Sequence, residues 1–169
     1  MNNKIKAFTL IELLVTIAII GLLAAISLVS INRARTKSRD AKRLADVQQV
    51  ITALDVYYDT NNNYPQSDND GCGGWDTGNK DYPLLNNRLT GIMNNPPRDL
   101  FFTGNCTGYR YYRYGAGGYG CPVEKGDYYV LGITDMETSS RPYPGSPGFS
   151  CSGRNWQNEF DWVIGKYQK

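Results

Sequence analysis

The sequence contains no histidine, which removes the commonest general base and the commonest metal ligand. Nucleophile pairs of the Ser-His and Cys-His kinds are therefore excluded, and the chain reads as a non-enzyme. Its four cysteines, Cys72, Cys106, Cys121 and Cys151, include no pair at the two-residue spacing of a zinc site. No proline interrupts the stretch from Phe8 to Tyr64, and Glu12 is the one charged residue between Phe8 and Asn32. Leucine and isoleucine are concentrated before Ser30. The remainder is rich in Tyr, Asn, Gly and Asp, with 13 tyrosines against 5 phenylalanines. That composition implies a modest core, and the tyrosines suit a small sheet with solvated hydroxyls or a surface that contacts other molecules.

Charge is partitioned along the chain. Lys4 and Lys6 precede an apolar run, Leu13–Ile31, of 19 uncharged residues. As a helix this run reaches roughly 28 Å, close to the hydrocarbon thickness of a bilayer. Immediately after it come Arg33, Arg35, Lys37, Arg39, Lys42 and Arg43 against Asp40 alone. Residues 44–169 are mildly acidic, with 10 basic and 14 acidic groups. A secretory signal is cut after its apolar core. Here the small residue Ala7 precedes the core, so cutting after Ala7 leaves the whole apolar helix on the mature protein. Glu12 at the start of such a helix is costly unless paired. An amine on a new Phe8 terminus is the nearby cation, either within the helix or from a neighbouring subunit. Otherwise Glu12 lies wet at headgroup level.

The stretch Lys6-Ala7-Phe8-Thr9-Leu10-Ile11-Glu12-Leu13 resembles the class III leader of the type IV pilin and type II secretion pseudopilin family. The likeness continues through Ala18-Ile19-Ile20-Gly21-Leu22-Leu23-Ala24-Ala25-Ile26, in detail over Lys6–Ile31 and more loosely to Pro65. The resemblance implies that a prepilin peptidase cuts between Ala7 and Phe8, methylates the Phe8 amine and requires Glu12. The family usually has Gly where Ala7 stands, and many members have Pro where Val29 stands. It also implies an α+β fold, in which a long spine helix carries a small antiparallel sheet, and a helical filament built on an assembly platform. The division expected is a leader at 1–7, a membrane and assembly segment at 8–31, an extracytoplasmic helix at 32–64 and a small domain at 65–169.

Topology brings two signals into conflict. Basic residues close to a membrane segment favour the cytoplasmic side, and the Arg33–Arg43 block outweighs Lys4 and Lys6. The family's leader is cytoplasmic, however, and paired cysteines need an oxidising side. The expectation is a single pass with a cytoplasmic N-terminus and two disulfides among Cys72, Cys106, Cys121 and Cys151, in any of three connectivities.

Leu44, Val47, Ile51, Leu54 and Tyr58 form one apolar stripe, widened by Val50 and Tyr57. Asn61-Asn62-Asn63-Tyr64-Pro65 then ends a helix of about 50 residues. Pro83–Met93 reads as a short helix. Tyr109–Tyr114, Tyr128–Thr134 and Phe160–Ile164 read as strands, and Arg141–Gly153 as a loop tied down by Cys151.

No cofactor is expected. Calcium is the metal to consider: Asp68 and Asp70 sit in a Gly-rich loop, though the EF-hand ligand order is not met, and the resemblance to major pseudopilins implies a calcium site in a C-terminal loop, to which Asp135 or Asp161 could contribute. The pairs Asp135/Glu137 and Glu159/Asp161 read as solvated acids. The Arg33–Arg43 block reads as a collar at the membrane that offers partners to acids on adjacent subunits. Tyr109, Arg110, Tyr111, Tyr112, Arg113 and Tyr114 read as a two-faced strand more than a base-stacking platform, so nucleic acid is not an expected partner. Asn105-Cys106-Thr107 matches a glycosylation triplet. Three functions fit: a type IV pilus subunit for adhesion, motility or DNA uptake; a type II secretion pseudopilin; and a membrane-tethered binding domain that does not polymerise.

Overall fold

The computed structural model describes residues 8–67, 72–102, 104 and 106–169. The leader with Ala7, the acids Asp68 and Asp70, and Asn105 lie outside them. Helix α1 (Leu10–Asn61) is followed by strands β1 (Asp76–Gly78), β2 (Tyr109–Tyr114), β3 (Tyr128–Ile133), β4 (Ser150–Cys151), β5 (Arg154–Asn155) and β6 (Trp162–Tyr167). The fold is α+β and pilin-like: one long N-terminal apolar helix, then an antiparallel sheet with two disulfides. The chain divides into two compact units, one ending at Ser38 and one from Arg39 to Lys169.

In the first unit the side chains from Phe8 to Ile31 are exposed and almost wholly apolar. The Thr16 hydroxyl donates to the Leu13 carbonyl at 2.8 Å, and the Ser27 hydroxyl to that of Leu23 at 2.9 Å. These two hydroxyls are thus satisfied by the helix's own backbone, as hydrocarbon surroundings would require. Among the described residues α1 is the one helix long and apolar enough to cross a membrane.

The second unit is a meander, with strand order β1-β2-β3-β6 and every pairing antiparallel. Side chains alternate across it, as a pleated strand requires. Tyr109, Tyr111, Tyr129, Leu131, Ile133 and Trp162 face α1 and pack with Val47, Val50 and Leu54. Tyr114, Tyr128, Val130 and Val163 face the other way, into a cluster with Trp75, Trp156 and Phe160. Both faces are covered, so the two-faced strand expected at Tyr109–Tyr114 is found. Gly132 and Gly165 lack the Cβ that would collide with the rings of Phe160 and Phe149, and those rings lie flat against the sheet there.

Three local expectations are corrected. Pro83–Met93 is a series of turns, not a helix. Leu85 at φ 55° and Asn87 at φ 62° are left-handed and cannot propagate a right-handed helix. Leu84, Leu85 and Leu89 are nonetheless buried, and the Asp76 carboxylate accepts from the Leu85 amide at 2.8 Å. The last strand starts at Trp162, and Phe160 precedes it with its ring against Gly132. The Arg141–Gly153 loop contains β4, which pairs with β5.

Candidate functional site

The N-terminus of α1 is built from Thr9 and Glu12. The Glu12 Oε2 accepts from the Thr9 amide and from the Thr9 hydroxyl, both at 2.8 Å. In return the Glu12 amide donates to the Thr9 hydroxyl at 3.3 Å. This is a capping box, which satisfies donors that the first helical turn otherwise leaves open. Both side-chain bonds fall on Oε2, leaving Oε1 without a donor among the described residues. Phe8, beside it, is exposed. The cap was readable as Thr-x-x-Glu ahead of an apolar run. It gives Glu12 a partner in its own chain that neither earlier account of this carboxylate supplied.

The same segment matches the prokaryotic N-terminal methylation motif over residues 2–28. That motif, and the relatives below, make the N-terminal part of the chain similar to the type IV pilins and pseudopilins. Three curated relatives of this family are all type II secretion system core protein G. The protein of Escherichia coli (strain K12) is 34% identical over 64 residues, covering 38% of this chain and 44% of that protein. That of Pectobacterium carotovorum subsp. carotovorum is 33% identical over 63 residues, or 37% and 40%. That of Aeromonas hydrophila is 34% identical over 67 residues, or 40% and 47%. The chain thus spans less than half the length of the curated relatives it matches. No solved structure matches it.

Behind this pilin-type N-terminus, the part of α1 from Arg39 onward is fixed to the domain by charge. Arg43, 2% exposed, donates to Asp99 at 2.6 Å, Asp40 at 2.7 Å and Glu137 at 2.8 Å. Arg39 binds Glu137 through both its Nε and its Nη2. Asp40 accepts from the amides of Glu137 and Thr138 and from the Thr138 hydroxyl at 2.6 Å. Burial opposes charge on Arg43, but its bonds to Asp99, Glu137 and Asp40 outweigh that and hold it protonated. The bonds from Arg39, then from Arg43, bring Glu137 from its ordinary 4.5 down to about 2. Asp46 joins Lys42 at 2.6 Å and accepts from the buried Tyr109 hydroxyl at 2.7 Å.

The basic block is therefore split, which corrects the single collar expected from sequence. Arg33, Arg35 and Lys37 are exposed, while Arg39, Lys42 and Arg43 bond to carboxylates of their own chain. The acids expected to be solvated are also engaged. Glu159 binds Arg154 at 2.6 Å, Asp161 binds Arg141 at 3.0 Å, and Asp135 accepts from the Gly108 amide at 3.0 Å. No group of three His, Cys, Asp or Glu side chains fit for a metal occurs among the described residues. Arg110 lies over the Phe160 ring at 5.4 Å, and Arg113 bonds to Asp127 and to the Tyr64 carbonyl. Both arginines of β2 are thus used inside the domain.

The cysteines pair as Cys72–Cys106 and Cys121–Cys151, with Cα separations of 4.8 and 4.9 Å. The first bond closes the loop that carries Asp99. The second ties β4 to the turn after Gly118–Gly120. Sequence had offered three connectivities and no means of choosing among them.

Proposed function

We propose that the chain is a structural subunit of a type IV pilus-like filament. The observation that carries this reading is the methylation motif at the head of a helix whose first half is apolar and exposed. An apolar surface of that length requires a cover, first the bilayer and then the helices of neighbouring copies. On this reading a prepilin peptidase cleaves between Ala7 and Phe8 and methylates the Phe8 amine. The N-terminus is cytoplasmic, and the Arg39–Lys169 unit is extracytoplasmic, where its disulfides are stable. Glu12, still holding Thr9 through Oε2, offers Oε1 to the Phe8 amine of a neighbour. The work is mechanical, with no catalytic group and no cofactor. Its partners are other copies, the peptidase, the assembly platform and the membrane, without nucleic acid.

A second reading, a pseudopilin of a type II secretion system, is supported by the names of the three relatives. Electron microscopy of sheared material, with mass spectrometry of its N-terminus, tests the shared core. Filaments whose subunits begin at methylated Phe8 are expected. A chain found only in membranes and still carrying Met1 would leave the tethered, non-polymerising domain as the answer. Deleting the gene separates the two filament readings: loss of surface fibres marks a pilus, and loss of secreted protein marks a pseudopilus.

A further inference from the structure

Arg33, Arg35 and Lys37 are exposed and, among the described residues, have no carboxylate at ion-pair distance. The next cations along α1, Arg39, Lys42 and Arg43, each have one. The three free cations lie in the first compact unit, which ends at Ser38. The one acid described in that unit is Glu12, roughly 30 Å back along the helix. Positive charge is therefore not offset within the unit.

The place of these cations along the helix is that of a lipid headgroup layer. The apolar run ends at Ile31. At the helical rise Arg33, Arg35 and Lys37 follow it by about 3, 6 and 9 Å, and the polar layer on each side of a bilayer is roughly 5–8 Å deep. Long basic side chains bend back toward the phosphates where the backbone lies farther out. Round the helix Arg33 and Lys37 are about 40° apart, whereas Arg35 lies about 160° from Arg33. A neighbouring protein meets one side of a helix, but headgroups meet every side.

A second observation distinguishes a whole phospholipid from a free anion. Ile26, Val29, Ser30 and Arg33 line a shallow groove of about 390 Å³. Their spacing stacks them on one helix face, with the guanidinium at one end and aliphatic surface along the rest. That order matches a phosphate followed by an acyl chain. A guanidinium also takes two phosphate oxygens at once.

We propose that residues 33–37 bind anionic phospholipids, one seated on the Ile26–Arg33 groove with its headgroup between Arg33 and Lys37, and another held at Arg35. The inference rests on α1 spanning a bilayer, as the proposed function requires, and adds the class of lipid and the residues that select it. A zwitterionic lipid carries an ammonium group that offsets its phosphate, so net negative charge is what the three cations select.

The full chain, reconstituted into phosphatidylcholine bilayers, tests this through the association of spin-labelled phosphatidylglycerol relative to spin-labelled phosphatidylcholine. Phosphatidylglycerol should be preferred by about tenfold at low salt, and the preference should vanish when Arg33→Gln, Arg35→Gln and Lys37→Gln are combined. Equal melting of this variant and the wild type keeps folding out of the comparison. Equal association of the two lipids with the wild type, or a preference that survives in the variant, overturns the assignment. So does a preference abolished by inorganic phosphate but not by chloride at the same ionic strength, which makes the cations a site for free phosphate. A chain that does not enter bilayers removes the membrane reading itself.

Discussion

Thr9 and Glu12 bond to each other in both directions, and this gives Glu12 a role before any neighbour arrives. Glutamine serves in a capping box nearly as well as glutamate, so Glu12→Gln separates the cap from the charge. The variant should keep its helix content in detergent, measured by circular dichroism, and should fail to give filaments. Thr9→Ala should do the reverse, loosening the first turn by about 1 kcal/mol while leaving assembly in place. Normal assembly of Glu12→Gln would remove the charge from the mechanism.

Arg43 is buried among three carboxylates, Asp40 on its own helix and Asp99 and Glu137 from distant parts of the chain. Removing a buried cation leaves its anions unpaired, at a cost of about 3–5 kcal/mol. Arg43→Ala should therefore lower the melting temperature by roughly 10 °C, whereas Arg33→Ala, at an exposed position, should leave it within a degree or two. Thermal denaturation of the oxidised chain reads both.

The bonded state of Glu137 makes stability depend on acid. Its carboxyl is held at about 2 in the fold against an ordinary 4.5, so the unfolded chain takes up its proton first as pH falls. The stabilisation is complete above about 4.5 and is lost progressively toward about 2. Asp40, also lowered by its bonds despite burial, adds to the loss at the acid end. Urea midpoints between pH 6 and pH 2.5 should fall for the wild type. They should fall less steeply for Glu137→Gln, which is weaker throughout but has one fewer proton to gain.

Non-reducing peptide mapping should recover Cys72 with Cys106 and Cys121 with Cys151, and neither cross pairing. Each bond closes a loop of some thirty residues, for which chain entropy gives about 3–4 kcal/mol. Cys72→Ser with Cys106→Ser should melt earlier by a comparable margin. It should also weaken the hold on Arg43, because Asp99 sits inside the loop that this bond closes.

The parts of this protein legible in its sequence are those fixed by local pattern. The apolar run, the stripe from Leu44 to Tyr58 and the alternation of Tyr109–Tyr114 each carry a period that a reader can count. Glu12 stands out for its charge, and the Thr-x-x-Glu spacing displays its bond to Thr9. Asp99 and Glu137 could not be found this way. Their contact with Arg43 joins positions 56 and 94 residues apart, and no local period marks such a pair. The turns at Pro83–Met93 misled for a related reason: the leucines are spaced as on a helix, but left-handed Leu85 and Asn87 break it.

The pairing of Arg39, Lys42 and Arg43 alters what the stretch beyond the apolar segment offers to a charged bilayer. Before the domain forms, residues 33–43 present six cations opposed by Asp40 alone, and each cation near an anionic surface is worth about 1 kcal/mol. Asp99 and Glu137 from the domain pair with Arg39 and Arg43, and Asp46 on the helix itself pairs with Lys42, so that among the described residues Arg33, Arg35 and Lys37 remain uncompensated. On the filament reading proposed above, completion of the domain would thus lighten the chain's hold on an anionic lipid surface and ease the folded subunit away from it.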